Sequence, residues 1–404
     1  MTDPLRKPDL RAPRLPLDKA ARAALDDIDS AGLRRSLRLI DGCQDPEVTI
    51  DGRDLLLLCS NNYLGLASHP DVRAAAEAAI RRYGTSAVSS RLISGHMRAH
   101  EDLEKRLAVW KGTESALVFS TGYQANVGAI TSLVRRGDVV ISDELNHASI
   151  IDGCRLSRAH TAIYRHNDVE QLRSLLVEHG DASRVLVITE SVFSMDGDKA
   201  PLVEIAAACH EHGAWLMVDE AHAAGIFGSN GAGLVSELDL QSEVDVIVGT
   251  LGKALASFGA YVAGSHALTD LLINRARSFI FTTGLPPSAV AAAHAAIDIT
   301  ERERERSTSL LVRAHRLGEL LRDGGLAVPQ VESQILPVVI GEAETTVAVM
   351  RGLLDDGIYV AAIRPPTVPR GTSRLRVSLM ATHTDAHIER AATAIIDHVH
   401  RHTH

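Results

Sequence analysis

The sequence predicts an α/β fold: a large domain with a mostly parallel, seven-stranded sheet, followed by a small C-terminal α+β domain. Two observations predict it. From about residue 54 to 265, short apolar runs of four to seven residues alternate with helical patterns. Such continuous runs are typical of parallel strands that are buried on both faces. After about residue 285 the pattern changes to a long helical region and then to shorter strand and helix segments.

The predicted elements follow in chain order. A Pro/Arg-containing arm covers residues 1–16, and an amphipathic helix covers 17–39. The strands of the large domain are the runs LLLLC, ALVFS, VVIS, TAIY, RVLVITE, AWLMVDE and VDVIVGT. Helices such as VEIAAACHEHG, which ends at Gly213, lie between several of them, and this alternation predicts a parallel sheet covered by helices.

The C-terminal part is predicted to hold an antiparallel sheet with helices. It contains a helical region over 286–323, strands in SQILPVVIG, IYVAAI and SRLRVSL, a helix near 344–355, and a last helix from about 384. We therefore divide the chain into an N-terminal arm and helix (1–53), a large cofactor-binding domain (54–285), and a linking helix with the small domain (286–404).

Composition excludes several functional classes. The net charge is −9, which disfavours binding to nucleic acid or to an anionic membrane, because both need a basic face. No apolar run reaches the roughly 18–20 residues of a membrane span, and the N-terminus lacks the apolar centre of a signal peptide. The four cysteines are scattered, with no CxxC pair. The sequence therefore favours a soluble cytoplasmic protein without a structural metal.

Polar residues follow five of the predicted strands at the point where each strand ends. In open α/β sheets, ligands bind at the carboxyl ends of the strands. Each such residue alone is common in helix caps and turns, so the argument depends on their coincidence. The strand ends carry Ser120, Thr121, Gly122 and Tyr123; His147; Glu190 and Ser194; Asp219 and His222; and Thr250 and Lys253.

This set of residues suits pyridoxal 5′-phosphate. Amides at a helix N-terminus, here those of Gly122 and Tyr123, bind phosphate. Lys253 follows a buried strand among small residues, where a lysine can form a Schiff base with an aldehyde. Asp219 can keep a pyridine nitrogen protonated, as carboxylates do in such enzymes. We therefore predict a pyridoxal phosphate enzyme with Lys253 and Asp219 as catalytic residues.

Six motifs then identify a family. In chain order, from Ser60 to Ala254, these motifs are SNNYLGLASHP, FSTGYQANVGAI, LNHASIIDGCRLS, ESVFSMDGDKAPL, MVDEAHAAGIFG and GTLGKA, and the resemblance extends over about residues 30–400. They resemble the α-oxoamine synthases of the fold-type-I aminotransferase superfamily. The resemblance implies a fold-type-I pyridoxal phosphate-dependent acyltransferase. It also implies that His147 stacks on the cofactor ring and acts as an acid, that His222 and Ser194 bond the phenolic oxygen, and that Thr250 helps to hold the phosphate.

The resemblance further implies a homodimer with shared active sites. The segment FIFTTGLPP is similar to the one that reaches the phosphate of the neighbouring subunit in this family. Thr282 and Thr283 are therefore expected to bind cofactor across the subunit interface.

The stretch AAIRPPTVPRGTSRLRVSL favours one activity within the family. It is similar to the corresponding stretch of those members that condense L-alanine with a pimeloyl thioester, carried on coenzyme A or on acyl carrier protein. By this resemblance, Arg364 and Thr367 line the amino-acid and acyl site, Arg376 binds the α-carboxylate, and Arg34 contacts the acyl substrate. Since Arg374 and Arg376 lie on one predicted strand, we expect at most one of them to face the site.

Four other functions share some of these sequence features. VDEAH also occurs in helicases, but those enzymes need an upstream G-x-x-x-x-G-K-[ST] loop that this sequence lacks. A metal hydrolase would use His96 with His100, or His210 with His212, and neither pair has the zincin pattern. A non-catalytic binding protein leaves the lysine, acid and histidine set unexplained. Another α-oxoamine synthase, such as glycine C-acetyltransferase, is the nearest alternative.

Overall fold

The computed structural model describes residues 16–403, so the arm predicted for 1–16 lies outside the described residues apart from its last position. Its helices are α1 Leu17–Ser30, α2 Pro70–Tyr83, α3 Arg98–Lys111, α4 Gly122–Leu133, α5 Ala148–Ser157, α6 Val169–Glu178, α7 Leu202–His212, α8 Leu234–Glu237, α9 His266–Arg275, α10 Arg277–Ile280, α11 Pro287–Arg302, α12 Glu305–Asp323, α13 Ala343–Asp355 and α14 Asp385–Thr403.

The strands form three sheets. They are β1 Ile40–Asp41, β2 Glu47–Ile50, β3 Arg53–Leu57, β4 Ser115–Phe119, β5 Val139–Asp143, β6 His160–Tyr164, β7 Val185–Glu190, β8 Trp215–Asp219, β9 Val246–Thr250, β10 Ala260–Gly264, β11 Ile335–Gly341, β12 Ile358–Tyr359, β13 Ala361–Ile363 and β14 Ser373–Ser378.

The central sheet has seven strands in the order β4-β10-β9-β8-β7-β5-β6. Strands β9, β8, β7, β5 and β6 are parallel to one another, and β10 is antiparallel to both β9 and β4. This confirms the predicted α/β fold with a mostly parallel seven-stranded sheet.

The membership of that sheet differs from the prediction at two strands. LLLLC was expected in the central sheet, but β3 pairs instead with β2 and with β12, near the C-terminal end of the chain. The seventh strand is β10, from the run AYVAG, which the sequence analysis missed. An apolar run shows that a strand is buried, but its partner depends on how distant segments meet, and β3 and β12 are about 300 residues apart.

The central sheet is buried on both faces, which explains its continuous apolar runs. Alternate residues of each strand face opposite sides. Val187 packs in the cluster on one face, while Leu186 and Ile188 pack on the other, and all three are completely buried. The first cluster continues to residues such as Leu336 and Val377 of the C-terminal sheet. The two parts of the chain therefore share one core.

The C-terminal sheet is antiparallel, in the order β11-β14-β13, as the sequence predicts. Two details differ. The helical region 286–323 is two helices, α11 and α12, and IYVAAI contributes its two halves to different sheets as β12 and β13.

The predicted N-terminal helix is shorter than expected. Helix α1 ends at Ser30 instead of residue 39, because Gly32 adopts a positive φ of 65° and the amide of Leu33 bonds back to the carbonyl of Ile28. None of the helices within residues 16–403 is both long and apolar enough to cross a membrane.

Candidate active site

The polar strand ends meet at one edge of the central sheet. Strands β5, β7, β8 and β9 run parallel, so their carboxyl ends lie side by side. Glu190 pairs in register with Asp219, and Asp219 pairs with Val248 just before the turn that carries Lys253. The residues that the sequence analysis placed at separate strand ends are thus brought together.

Lys253 lies in a closely bonded turn after β9. Its carbonyl accepts a hydrogen bond from the amide of Ala256 (2.9 Å), and Leu251 bonds across to Gly259 (2.9 Å). The hydroxyl of Thr250 accepts from the amide of Gly252 and donates to the carbonyl of Gly259, both at 3.2 Å. In this structure Thr250 therefore stabilises the lysine turn, whereas the resemblance implies that it binds phosphate.

The ammonium group of Lys253 faces a histidine. Its Nζ lies 3.0 Å from Nε2 of His222, and Nδ1 of His222 lies 2.8 Å from the hydroxyl of Tyr63. Tyr63 donates its single proton to Oδ1 of Asn61 (2.9 Å), so His222 donates from Nδ1 to Tyr63. Nε2 of His222 then carries a lone pair that accepts from Lys253.

Burial and charge shift the pKa values of this pair. Burial lowers the pKa of Lys253 to about 8; Asp219 and Glu190 oppose this shift, and Arg376 reinforces it. Burial also lowers the pKa of His222 well below 6.5, and the positive charges of Lys253 and Arg376 add to the shift. His222 is therefore neutral near pH 7, and a fraction of Lys253 is present as the free amine, the form in which a lysine can act as a nucleophile or base.

Asp219 is buried at the end of β8, and its carboxylate is held from two sides. Oδ2 accepts from Nδ2 of Asn126 (2.8 Å), and Oδ1 accepts from the amide of Ala221 (2.9 Å). Asn126 also donates to the hydroxyl of Ser149 (2.9 Å), which in turn lies 2.8 Å from Nδ1 of His147. Helices α4 and α5 thereby orient both the aspartate and the histidine.

Glu190 is a second buried carboxyl group beside Asp219. Its Oε1 has no hydrogen-bond partner within the described residues. Burial and the negative charge of Asp219 raise the pKa of Glu190 to about 8, against the opposing charge of Lys253. A large fraction of Glu190 is thus protonated at neutral pH.

His147 is exposed and lies beside a cavity. The surrounding strand ends shield it partly from water and lower its pKa, with the negative charge of Asp219 opposing the shift and the positive charge of Lys253 adding to it. The cavity, about 910 Å³ in volume, is lined by His147, Ser194, Pro365, Pro366 and Thr367. The double-proline stretch, from which the sequence predicts the substrate, therefore lines the same cavity as His147.

Free amides lie at the N-terminus of α4. Thr121 caps this helix by accepting from the amide of Gln124 (3.1 Å), whereas Gly122 and Tyr123 occupy the first helical positions, whose amides have no intrahelical acceptor. A Cβ placed on Gly122 would meet nothing within 4 Å among the described residues, so the space beside this residue is open. This arrangement suits a phosphate group.

Arg376 and Arg374 both reach the loop that carries Ser194. Nε of Arg376 donates to the carbonyl of Ser194 (2.5 Å), and Arg374 forms an ion pair with Asp196 of the same loop. The expectation that at most one of them faces this side was wrong, because residues two apart on a strand lie on the same face. Only Arg376 also approaches Tyr63, at 3.4 Å from its hydroxyl.

Not all predicted residues lie at this edge. Arg34 and Arg364 line a second cavity, which Thr367 shares with the first. Arg364 donates there to the carbonyl of Arg34 (2.7 Å). Thr282 and Thr283 lie next to Ser120, and their hydroxyl groups have no hydrogen bond within residues 16–403.

Three residues at this edge have no role in the prediction from sequence. Asn126 lies inside a helix and has no distinguishing pattern, although a buried asparagine among apolar helix residues is itself a signal. Tyr63 stands within the SNNYLGL motif but has no strand-end position. Glu190 was recognised as a strand end, yet its burial against Asp219 depends on the order of strands in the sheet.

Known proteins share the family and the fold of this chain. The family model for aminotransferase class I and II matches residues 53–395. The chain is 51% identical to the 8-amino-7-oxononanoate synthase of Geobacter sulfurreducens, over 94% of this chain and 97% of that protein. This shared identity over nearly the whole of both chains indicates the same family throughout.

Two solved structures resemble the chain closely. One is a serine palmitoyltransferase variant from S. paucimobilis with a bound PLP–myriocin aldimine, with a TM-score of 0.91, 35% identity, and coverage of 96% of this chain and 99% of that one. The other is the 8-amino-7-oxononanoate synthase of Francisella tularensis, with a TM-score of 0.75, 27% identity, and coverage of 86% and 98%.

Proposed function

Because the chain belongs to the aminotransferase class I and II family, we propose that it condenses L-alanine with a pimeloyl thioester, with pyridoxal 5′-phosphate as cofactor. The products are 8-amino-7-oxononanoate, CO2 and the free thiol carrier, and the reaction belongs to biotin biosynthesis. Relatives whose sequences are about half identical to this chain support this activity. We also propose that the protein is cytoplasmic.

The residues at the carboxyl edge of the sheet fit this cofactor. A lysine with a lowered pKa, a carboxylate held by Asn126, and free amides before an open space at Gly122 provide the three groups that the cofactor requires. When bound, pyridoxal phosphate supplies an aldehyde for a Schiff base and a ring that withdraws electrons from Cα of the amino acid. Lys253, Asp219, and Gly122 with Tyr123 would hold it.

Lys253 is proposed as the nucleophile and the base. Its amine, whose free form is favoured by burial, would hold the cofactor and, once released, would accept the α-proton of alanine at Nζ. His222 accepts a hydrogen bond from this Nζ at 3.0 Å and so orients the lone pair of the amine. Because His222 is neutral, it does not compete for the proton that Lys253 carries.

The remaining residues are proposed to bind and orient the substrates. Arg376 would bind the carboxylate of alanine, since its guanidinium group contacts Ser194 and approaches Tyr63 at the edge of the site. Asp219 would hold a proton on the ring nitrogen. His147, exposed beside the cavity, would donate a hydrogen bond to the thioester carbonyl.

The observation that carries the proposal is a lysine with a lowered pKa beside a neutral histidine and a buried aspartate, in a chain half identical to enzymes of this name. The test incubates the holoenzyme with alanine or glycine against pimeloyl-, acetyl-, succinyl- and palmitoyl-CoA, and measures thiol release. We expect the highest kcat/KM for alanine with pimeloyl-CoA. A higher value for any other pair would contradict the assignment.

A second candidate is a related acyltransferase with a different acyl chain. The chain has a TM-score of 0.91 with a serine palmitoyltransferase structure and of 0.75 with the 8-amino-7-oxononanoate synthase structure. This difference supports the second candidate. The same assay with serine and palmitoyl-CoA distinguishes the two.

The proposal includes a homodimer with shared sites. Phe281 and Phe258, large apolar residues near Thr282 and near Lys253, are 69% and 53% exposed in the single chain, which supports their burial by a second copy. Analytical ultracentrifugation would measure the mass of the protein in solution, and a monomer at micromolar concentration would contradict the proposed homodimer.

A further inference from the structure

Glu190 and Asp219 carry two carboxyl groups that lie side by side at the carboxyl edge of the central sheet. They pair in register as the last residues of β7 and β8. Each follows by two positions a residue of the same core cluster, Ile188 on β7 and Met217 on β8, so both lie on the face that α4 and α5 cover. Neighbouring strands are about 4.8 Å apart, and like charges directly opposite each other are destabilising. The fold therefore disfavours two carboxylate charges at this position.

The hydrogen bonds indicate which of the two carboxyl groups carries a proton. Asp219 accepts from Asn126 (2.8 Å) and from the amide of Ala221 (2.9 Å), and such bonds favour the ionised form. Glu190 is 2% exposed, yet its Oε1 accepts no hydrogen bond within residues 16–403. A buried carboxylate without donors is costly, whereas a neutral carboxyl group is less so. Glu190 is therefore the better place for a proton.

Other buried oxygens close to this pair also have no donor. Asn126 donates from Nδ2 to Asp219, and Asn146 donates from Nδ2 to the carbonyl of Ile188, two residues before Glu190. The Oδ1 atoms of both asparagines have no hydrogen-bond partner in the described part of the chain. An ionised carboxylate is an acceptor only, so it would add one more oxygen without a donor. A protonated Glu190 instead brings a donor to this group.

The charges that face Glu190 come from the neighbouring strands and the lysine turn. Burial raises the pKa of Glu190 to about 8, and the negative charges of Asp219 on β8 and of Asp143 on β5 add to the increase. Lys253 and the backbone amide of His147 oppose it. Geometry and charge thus agree that the proton stays on Glu190 at neutral pH.

The charge of Glu190 in turn acts on Lys253. Burial lowers the pKa of Lys253 to about 8, whereas negative charge on Asp219 and Glu190 opposes this shift and Arg376 reinforces it. The hydrogen-bond partner of its Nζ is the neutral His222, at 3.0 Å. A negative charge on Glu190 therefore favours the ammonium form of Lys253, and a neutral Glu190 favours the free amine.

We propose that Glu190 is kept protonated in the folded chain and is a positioning residue that, as a neutral neighbour, allows Lys253 to release its proton. For the role of Lys253 the inference rests on the proposed function. Glu190 thus acts on the chemistry through the charge of the lysine, without contact with the reacting atoms.

The first test measures urea unfolding of the full chain without cofactor, between about pH 5.5 and 7.5, for the wild type and for Glu190→Gln. The unfolded glutamate has its ordinary pKa of 4.5 and is ionised in this range, whereas the folded one keeps its proton, so the wild type loses stability as the pH rises. Glutamine has the shape of the neutral acid and does not titrate. The unfolding constant of the wild type, divided by that of Glu190→Gln, should therefore rise about tenfold per pH unit.

Glu220→Gln is the matched control for this measurement. Glu220 is a completely buried glutamate directly after β8, but it forms an ion pair with Lys111. Its substitution should lower the stability, because Lys111 loses its partner. For Glu190→Gln, a ratio that does not rise with pH overturns the proposal, whatever the stability of the variant.

Infrared spectroscopy tests the same proton without unfolding the protein. The wild type at pH 7 should show the carbonyl stretch of a protonated carboxyl group, and Glu190→Gln should lack this band. Absence of the band from the wild type, or its persistence in Glu190→Gln, overturns the assignment of the proton to Glu190.

The last test measures how readily Lys253 reacts. Pyridoxal 5′-phosphate is added to the chain without cofactor, and absorbance follows the Schiff base, in which the nitrogen of the amine replaces the aldehyde oxygen and water leaves. The half-maximal rate of Glu190→Gln should lie at a lower pH than that of the wild type, by up to about one unit, because no charge at position 190 then favours the ammonium form. Equal midpoints overturn the action of Glu190 on Lys253.

These measurements separate the inference from the proposed function. If the wild type forms no Schiff base, the proposed function is wrong, and with it the action on Lys253. Unfolding and infrared spectroscopy decide independently of that result whether Glu190 is protonated.

Discussion

Lys111 and Lys253 both extend toward the loop that follows β8, but their ammonium groups have different surroundings. Lys111 is 1% exposed and forms an ion pair with Glu220, with a further hydrogen bond to the carbonyl of Ala232. Within residues 16–403, the ammonium group of Lys253 forms a hydrogen bond only with the neutral His222, two residues further along the same loop.

This difference separates a structural lysine, Lys111, from Lys253, which we propose to be reactive. A buried ion pair with additional hydrogen bonds keeps its lysine charged and immobile. A buried lysine without a carboxylate partner loses its proton more easily, so that its amine is available for chemistry. The four predictions below test this comparison, in order of decreasing effect.

The largest effect is expected for Lys253→Ala. Without the amine, the protein loses both nucleophile and base, and we expect activity to fall by at least about 10⁴-fold, as when a covalent catalytic residue is removed. The measurement is thiol release from pimeloyl-CoA, together with mass spectrometry of the borohydride-reduced holoenzyme. Lys105→Ala, an exposed lysine paired with Glu101, is the control. If covalent labelling persists in Lys253→Ala, the assignment of Lys253 as the residue that binds the cofactor is wrong.

Lys111→Met should lower the free energy of unfolding and not the catalytic activity. It leaves the carboxylate of Glu220 buried without a cation, which typically costs about 3–5 kcal/mol. The free energy of unfolding in urea would measure this loss. The double variant Lys111→Met/Glu220→Gln should be less destabilised, because no unpaired charge remains. If Lys111→Met costs no more than Lys105→Met, the buried pair has no such role.

Asp219→Asn should lower kcat by about 10²–10³-fold with little change in stability, since it removes a preorganised charge but keeps the shape. The hydrogen bond with Asn126 can be re-formed by a flipped amide, so the fold is retained. Asp397→Asn, an exposed carboxylate on α14, is the control. A kcat within twofold of the wild-type value would argue against a role for Asp219 in catalysis.

His166 is a third kind of charged group, a histidine that contacts two carboxylates. Its Nδ1 lies 3.1 Å from Asp143 and its Nε2 lies 2.7 Å from Asp198. Despite partial burial, these two carboxylates raise the pKa of His166 to about 10. The stabilisation is fully present below pH 6.5 and is lost as the pH rises toward 10, because the unfolded chain releases its proton first.

His166→Gln should therefore reduce stability at pH 7 by about 1–3 kcal/mol and flatten this pH dependence. Urea unfolding between pH 6 and 10 measures both effects, with the exposed His210→Gln as the control. An unchanged slope in His166→Gln would show that other groups cause it.

Much of the site was predictable because strand ends can be recognised locally. An apolar run followed by a polar residue places Asp219 and Thr250 at the carboxyl edge whatever the strand order. The family motifs then supplied the roles of His147 and His222, which a lone histidine does not reveal.

The rest depends on contacts between distant segments. Asn126 supports Asp219 from a helix 93 residues earlier in the chain, and Lys111 meets Glu220 across 109 residues. Neither pair has a sequence spacing that predicts it, because the packing of helices against the sheet decides which polar groups meet.

By itself, the sequence determined the α/β class, the lysine, aspartate and histidine of the strand ends, and the capped start of α4, since each depends on local patterns of burial and capping. Only the tertiary structure decided that β3 joins the C-terminal strand β12, and that five arginines from the N-terminal segment and the C-terminal part line one cavity. The physical reason is that pairing and charge clustering depend on distances in space, whereas the sequence specifies only the order of residues along the chain.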